Sequence, residues 1–462
     1  NTVDAAGTPL VMATALYGDA RMVEAVLQAG ADPNAKNADN ATALIWAAGD
    51  PDKAEALLAK GANVNAQSKE GRTPLHTATA QDGSFEAVRM LVEKGADVNA
   101  ADRVPNFSTG GVGTTPLMLA ARGRDPRSTR YLLAHGAKVN QTDAAGGTAL
   151  LNAARQGCVE NVKALLAAGA DPNAAVKEMP FKGFTPLTWA AAMDRKDAVE
   201  ALIAAGANVN QKDAFGYAPL VWASMSERGD AGMVKMLLAA GADPNVKGAF
   251  DETPATWAAK KGATPIATAL GVDIMPTGTV AMLPTAGSNE APTAPVLRAA
   301  IEKSVAVMQA SGPKFFKVSG CVSCHNNTLP VSAAQMAAQR GIPADTANME
   351  LQVKAIKSLL GPAAEVLRQA TDAMPDPQVV GGYFAMGLAS VDYPADDLTT
   401  AMVHNIATKQ LADGSWPNFA PRPPIENGDI QATVMAMRAL QLYGPAGRHD
   451  EFARRVDHAR EW

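Results

Sequence analysis

Cysteine is scarce here, three residues in 462, and only Cys321 and Cys324 are neighbours. With no second pair, a structural zinc site of the usual four-ligand kind is two ligands short. Basic runs are also missing. The net charge is -5, spread over both halves, which argues against nucleic acid as a partner. No apolar stretch approaches the length needed to cross a bilayer, so no membrane span is expected. The chain starts at Asn1 with neither Met nor a charged-then-apolar leader, and the expectation is of a signal peptide removed or left out. The length allows roughly three domain-sized units, or one long array plus a domain.

What cysteine there is carries a specific pattern, Cys321-Val322-Ser323-Cys324-His325. Cys-x-x-Cys-His is the attachment signature of a c-type haem: the two thiols add across the vinyl groups and the adjacent imidazole supplies one axial nitrogen. A dithiol redox motif is the rival, but such motifs sit between a strand and a helix, whereas the flanks here read as helix and loop. One covalent haem c is therefore the expected cofactor. Because such attachment takes place outside the bacterial cytoplasm, a periplasmic or extracellular location is expected with it.

Internal repetition is the second signal. Gly-Ala-(Asp/Asn/Lys)-(Pro/Val)-Asn recurs from Gly30, Gly61, Gly95, Gly136, Gly169, Gly206 and Gly241, in steps of 31, 34, 41, 33, 37 and 35 residues. Periods of this size mean a stacked array. A Thr-Pro-Leu-like triplet precedes each glycine, as in Thr73-Pro74-Leu75 and Thr185-Pro186-Leu187. Thr caps a helix start, and Pro is tolerated at the first helical position, where its missing N–H costs nothing. Leu pairs such as Leu132-Leu133 and Leu237-Leu238 supply the apolar stripe of a second helix, which the glycine ends in a left-handed conformation.

These residues resemble the ankyrin repeat, and Thr73-Pro74-Leu75-His76 with Gly95-Ala96-Asp97-Val98-Asn99 is nearly its consensus. The likeness covers residues 1–272, as seven full units and a capping eighth at Thr253-Pro254-Ala255-Thr256-Trp257. Most units lack the His kept as His76. The resemblance implies an all-α solenoid that binds another protein along a face of loop tips and first helices. Trp46, Trp189, Trp222 and Trp257 fall two residues after their triplets and are expected to stack along the array, mainly as packing. The insertion Ala101 to Gly113 is a contact candidate on a rigid scaffold, and Cys158 reads as a half-buried structural thiol.

Residues 273–294 read as a linker, rich in Pro, Thr, Gly, Ala and Ser. Residues 295–462 read as helices throughout. The first is expected to end near Gly312-Pro313, delivering Phe315, Phe316 and the haem motif on the following turn, with the two rings placed to pack on a porphyrin edge. Gln410-Leu411-Ala412-Asp413-Gly414-Ser415-Trp416 fits Gln-x-x-x-Gly-x-Trp, the loop signature that resembles the repeat of the squalene-hopene cyclase and prenyltransferase family of α/α barrels. The resemblance implies that the Gln and Trp tie a helix end to its neighbour in a partial α/α-barrel-like domain. It carries no catalysis: Asp392-Tyr393-Pro394-Ala395-Asp396-Asp397 does not match the cyclase acid motif, Asp396 and Asp397 read as first-turn carboxylates, and no catalytic residue is assigned.

His325 is the expected proximal iron ligand. Met374, in Ala373-Met374-Pro375, resembles the Met-Pro loop that supplies the distal ligand in small class I cytochromes, with Met336 and His404 as alternatives. The whole reads as an extracytoplasmic mono-haem electron-transfer protein, docked to a donor or acceptor protein by its array. Two other classes stay open: a redox or cyclase-like enzyme with an open iron position or an acidic cavity, and a filament or scaffold subunit that self-associates through the array with the haem as a staple.

Overall fold

The computed structural model describes all residues except 1, 5–6, 106–110, 180, 226–230, 250, 261, 263, 273–293, 320–327, 372–376 and 418–428, with backbone alone at 311–319, 329 and 359. The chain forms two compact units, Asn1–Val280 and Ala281–Trp462. Among the described residues it is helical, and extended pairing is limited to the isolated bridges Val3 to Pro9 and Lys36 to Thr42.

The first unit stacks pairs of short helices, as the triplets and Leu pairs require. The pairs are Leu10–Tyr17 and Ala20–Gln28 (α1, α2), Ala43–Ala47 and Pro51–Ala59 (α3, α4), Pro74–Thr79 and Phe85–Glu93 (α5, α6), and Pro116–Ala120 and Pro126–Ala134 (α7, α8). They continue with Ala149–Gln156 and Val159–Ala167 (α9, α10), Pro186–Ala192 and Lys196–Ala204 (α11, α12), Pro219–Ser224 and Ala231–Ala239 (α13, α14), and Pro254–Lys260 and Pro265–Ala269 (α15, α16). Thr73, Thr115, Thr148 and Thr185 each accept a backbone N–H from the third residue on, so the capping chemistry read from the triplets is present. Second helices bury the first Leu of each pair, Leu132, Leu165 and Leu237 all being fully buried, and the second Leu packs on the flank. The glycines that follow hold φ between +83° and +89°, with open space where a Cβ would stand. Backbone conformation, not crowding, therefore selects glycine there.

The second unit runs through Ala294–Ser319 (α17), Leu329–Ala338 (α18), Thr346–Leu360 (α19), Ala364–Arg368 (α20), Pro377–Ser390 (α21), Asp397–Ala407 (α22), Asp429–Tyr443 (α23) and His449–Glu461 (α24). α21 packs on α23 and α20 on α22, so helices meet their next-but-one neighbours, around a core that includes Phe384, Met402, Ile406 and Trp416. A smaller core of Val305, Val331, Ala334, Ile342 and Met349 joins α17, α18 and α19. One expectation is corrected. α17 does not end at Gly312-Pro313 but continues to Ser319, because an internal proline removes one N–H and crowds one carbonyl without unwinding its flanks. The backbone at Phe315 and Phe316 is thus helical rather than turned.

The Gln-x-x-x-Gly-x-Trp loop ties three helices together. The Gln410 amide donates to the Gly414 carbonyl at 3.0 Å and the Arg455 carbonyl of α24 at 2.8 Å. Trp416, fully buried, donates its indole N–H to the Ile406 carbonyl near the end of α22 at 2.7 Å, and its backbone N–H to the Thr433 hydroxyl on α23 at 2.9 Å. Gly414 combines φ +92° with a carbonyl, that of His458, only 2.5 Å from where a Cβ would stand. Conformation and space both demand glycine at that point. Asp396 caps α22 in a reciprocal box with Thr399, which is the structural part expected of it.

Candidate protein interface

The loops between repeats form a continuous edge. Each turns back on itself, as where Ser68 N–H meets the Arg72 carbonyl at 3.0 Å, and each hands a backbone bond to the next: Lys69 to Asp39, Arg103 to Glu70, Ala144 to Val112, Lys177 to Ala145, Ala214 to Lys182 and Ala249 to Phe215, all at 2.6–2.9 Å. A second ladder runs through the Asn that closes each Gly-Ala-x-x-Asn. Asn140 donates its side-chain amide to the Gly169 carbonyl at 2.9 Å and accepts from the Asp171 N–H at 2.9 Å. Asn34, Asn65, Asn99, Asn173 and Asn210 do the same to the repeat after them. The recurrence of Asn was visible in the sequence, but its use as a bridge between repeats was not.

Between repeats three and four the loop base is buried and charged. Arg72 and Asp102 pair at 3.0 Å with side chains 2% and 1% exposed, and burial lowers the pKa of Arg72 and raises that of Asp102. Two guanidinium nitrogens of Arg72, Nε and Nη2, have no partner. His76, also fully buried, accepts the Thr73 N–H at Nδ1 and donates from Nε2 to the Thr114 carbonyl at 3.0 Å. Burial, then the Arg72 charge, push its pKa down to about 3. It is a neutral tie between two loops. At the matching place Thr188 and Thr256 bond their own capping threonines, so the network that His would make is rebuilt with a hydroxyl in those units. Cys158 is half-buried, donates to the Arg122 carbonyl at 3.2 Å and is held at a pKa of about 12 by burial, a structural thiol as read.

The tryptophan stripe needs correction. Trp46 is buried in the repeat core, and Trp189, Trp222 and Trp257 do not touch one another ring to ring. Instead Phe184, from the loop of repeat six, stands between Trp189 at 4.9 Å and Trp222 at 5.1 Å. Phe181 adds a ring 4.8 Å from Trp189, and Tyr217 one 5.9 Å from Trp222. Helices packed in register lie about 8–10 Å apart, whereas ring pairs need centroids within about 4.5–7 Å, so a loop aromatic has to fill the gap. Asp213 fixes Trp222 through its indole N–H at 2.8 Å, and Glu252 accepts the Tyr217 hydroxyl at 2.6 Å. A preorganised aromatic floor thus lies under the loop tips of repeats six to eight.

Of the haem-motif residues, Cys321, Cys324, His325 and Met374 lie outside the described residues, as does part of the Ala101 to Gly113 insertion. Met336 lies on α18 and is 54% exposed. His404 is buried on α22, where its Nδ1 accepts from Arg448 at 2.8 Å. Since a guanidinium only donates, a neutral ring there carries its proton on Nε2. Among the described residues no cluster of three or more His, Cys, Asp or Glu side chains is placed to hold a metal ion, and no helix is long and apolar enough to cross a membrane. A cavity of about 730 Å³ in the second unit is lined by Met349, Glu350, Lys354, Lys357 and Tyr393 among others. Its lining carries charges of both signs.

Among known proteins, the chain is 42% identical over 104 residues to human neurogenic locus notch homolog protein 4, covering 22% of this chain and 5% of that protein. It is 36% identical over 97 residues to the B-cell lymphoma 3 protein homolog of Mus musculus, 21% of this chain and 20% of that one, and 34% identical over 141 residues to the ankyrin repeat and KH domain-containing protein mask-1 of Caenorhabditis elegans, 30% and 5%. The chain therefore spans a fifth or less of the length of these relatives. The family model for ankyrin repeats matches in three copies, over residues 10–102, 104–176 and 174–248. With the stacked helix pairs, the left-handed glycines and a match over more than half its length, this chain belongs to the ankyrin-repeat family.

Proposed function

We propose that the array, a module for binding another protein, docks a mono-haem c-type cytochrome to its redox partner outside the cytoplasm. The observation that carries the haem part is Cys321-x-x-Cys324-His325, in a unit distinct from the array. Its donor set suits the cofactor: two thiols spaced to form thioethers with the vinyl groups, and an imidazole directly after them to face the iron. Bound there, haem supplies a one-electron couple. The chain's part would be to anchor it through Cys321 and Cys324, ligate its iron through His325, and offer a second ligand, the thioether of Met374 first and of exposed Met336 next. His404 ranks last, because Arg448 already occupies its Nδ1. The Gln410 and Trp416 bonds support the likeness of the helical unit to the cyclase and prenyltransferase barrels, as scaffold rather than catalyst.

The test is a reduced-minus-oxidised absorption spectrum of protein matured in a host that attaches haem c, checked after denaturation. A low-spin c-type spectrum with the weak far-red band of methionine-ligated ferric haem is expected. Absence of colour from the denatured chain would overturn the haem reading, and a high-spin spectrum would move it toward an enzyme or ligand sensor.

A further inference from the structure

We infer that the loop face of repeats six to eight takes an acidic, extended segment of the partner protein carrying aromatic or leucine anchors. The inference rests on the reading of the array as a docking module and names the chemistry of what docks. The loop of repeat six is long: closed by the Val176 N–H on the Phe184 carbonyl and the Gly183 N–H on the Val176 carbonyl, it carries Met179, 57% exposed. Phe215, 36% exposed, crowns the next loop, and Trp222 and Trp257 are half-buried behind it. An exposed apolar patch with a polar rim is the usual form of an interaction site. Here its floor is already rigid, so little conformational entropy is lost on binding. Trp189, only 3% exposed, keeps an indole N–H with no acceptor beneath it.

Charge selects the occupant. Lys177, Lys182 and Lys212 stand on the tips and flanks of these loops, exposed and with no carboxylate partner among the described residues. Lys247 and Lys260 have one each, Asp251 at 3.5 Å and Glu252 at 2.5 Å, and Lys260 also lies 4.0 Å over the Trp257 ring. Against the unpaired three stand Glu178 and the buried Asp213 that holds Trp222, so the rim keeps a net charge of +1 on a chain of net charge -5. A short acidic segment meets only this local rim. A nucleic acid, with a charge at every phosphate, would also meet the negative field of the whole chain, and a second copy would bring that field with it.

Fluorescence anisotropy on the full chain tests this with three labelled probes of equal length: a peptide alternating Glu with Leu and Phe, its Lys counterpart, and an oligo-dT. The acidic peptide is expected to bind at least about tenfold more tightly than either other probe, with affinity falling as salt rises. Lys177→Glu, Lys182→Glu and Lys212→Glu together should weaken it at least about tenfold with an unchanged thermal melt, and Trp222→Leu should weaken it too. Tighter binding of the Lys peptide, lost in Trp222→Leu, would overturn the acidic assignment while leaving protein docking at this face intact. Oligo-dT winning, or acidic-peptide binding that survives both the triple reversal and Trp222→Leu, would overturn the site itself. Docking by the array as a whole is read separately, by whether cross-links from the array to the redox partner form at any repeat.

Discussion

A single buried imidazole makes one part of the array sensitive to acid. His76 is neutral when folded because burial and Arg72 disfavour its charge, holding its pKa to about 3 against 6.5 in an exposed ring. A lowered histidine pKa means that the unfolded chain binds the extra proton between those values, so this residue's contribution to stability is complete above pH 6.5 and is lost as pH falls toward 3. Each pH unit in that window can cost up to about 1.4 kcal/mol. Subtracting the pH profile of a His76→Gln variant from that of the native chain, by urea unfolding at several pH values, isolates the effect from other carboxylates. Parallel profiles would refute it. Removing Asp102 is a harsher change: Asp102→Ala leaves Arg72 buried without its partner, and a loss of about 3–5 kcal/mol is expected. His76 was singled out in the sequence only as the retained member of a triplet. That its ring reaches Thr114, across the long 41-residue step, has no local signature.

Elements were legible where a period or a cap fixed them. The triplets, Leu pairs and glycines located the two helices of every repeat, because helix propensity, capping and the left-handed exit are decided within a few residues. The Gln-x-x-x-Gly-x-Trp loop located one helix-to-helix tie for the same reason. Illegible were contacts set by distance across elements: Phe184 between two tryptophans, or Asn140 reaching the next repeat. The Asn bridge can be weighed. Asn140→Ala removes two exposed hydrogen bonds, and a loss of about 1–2 kcal/mol in the chemical unfolding of the array is expected, with no change in far-ultraviolet dichroism before the transition. Trp416→Ala, which empties a fully buried site and strands the Ile406 carbonyl, should cost the helical unit about 3–5 kcal/mol. A loss under about 1 kcal/mol would mean the loop is decoration. The continuation of α17 past Gly312-Pro313 was missed because proline was read as a stop, when it only prevents one bond.

On the scale of the whole chain, the two units keep separate cores, so damage to one should not unfold the other. Cys321→Ala with Cys324→Ala is expected to abolish covalent haem and leave the melting of the array within error of the native value, measured by calorimetry and by haem staining of the denatured protein. Covalent haem persisting in that variant would refute the assignment. The array was readable from the sequence almost in full, since a solenoid repeats its own instructions. The Cys321-x-x-Cys324-His325 segment was readable as chemistry alone, and the haem proposed for it rests on that spacing.

The Asn ladder also has a consequence for length. Steps of 31 to 41 residues all end with the same side chain reaching the same carbonyl of the next repeat, within 2.9–3.5 Å. Extra residues must therefore leave the stack sideways, and the spacing along it is indifferent to them. The array is a ruler whose graduations are set by hydrogen bonds rather than by chain count, so loops can lengthen or shorten in evolution and retune what is grasped without moving where along the ruler it is grasped.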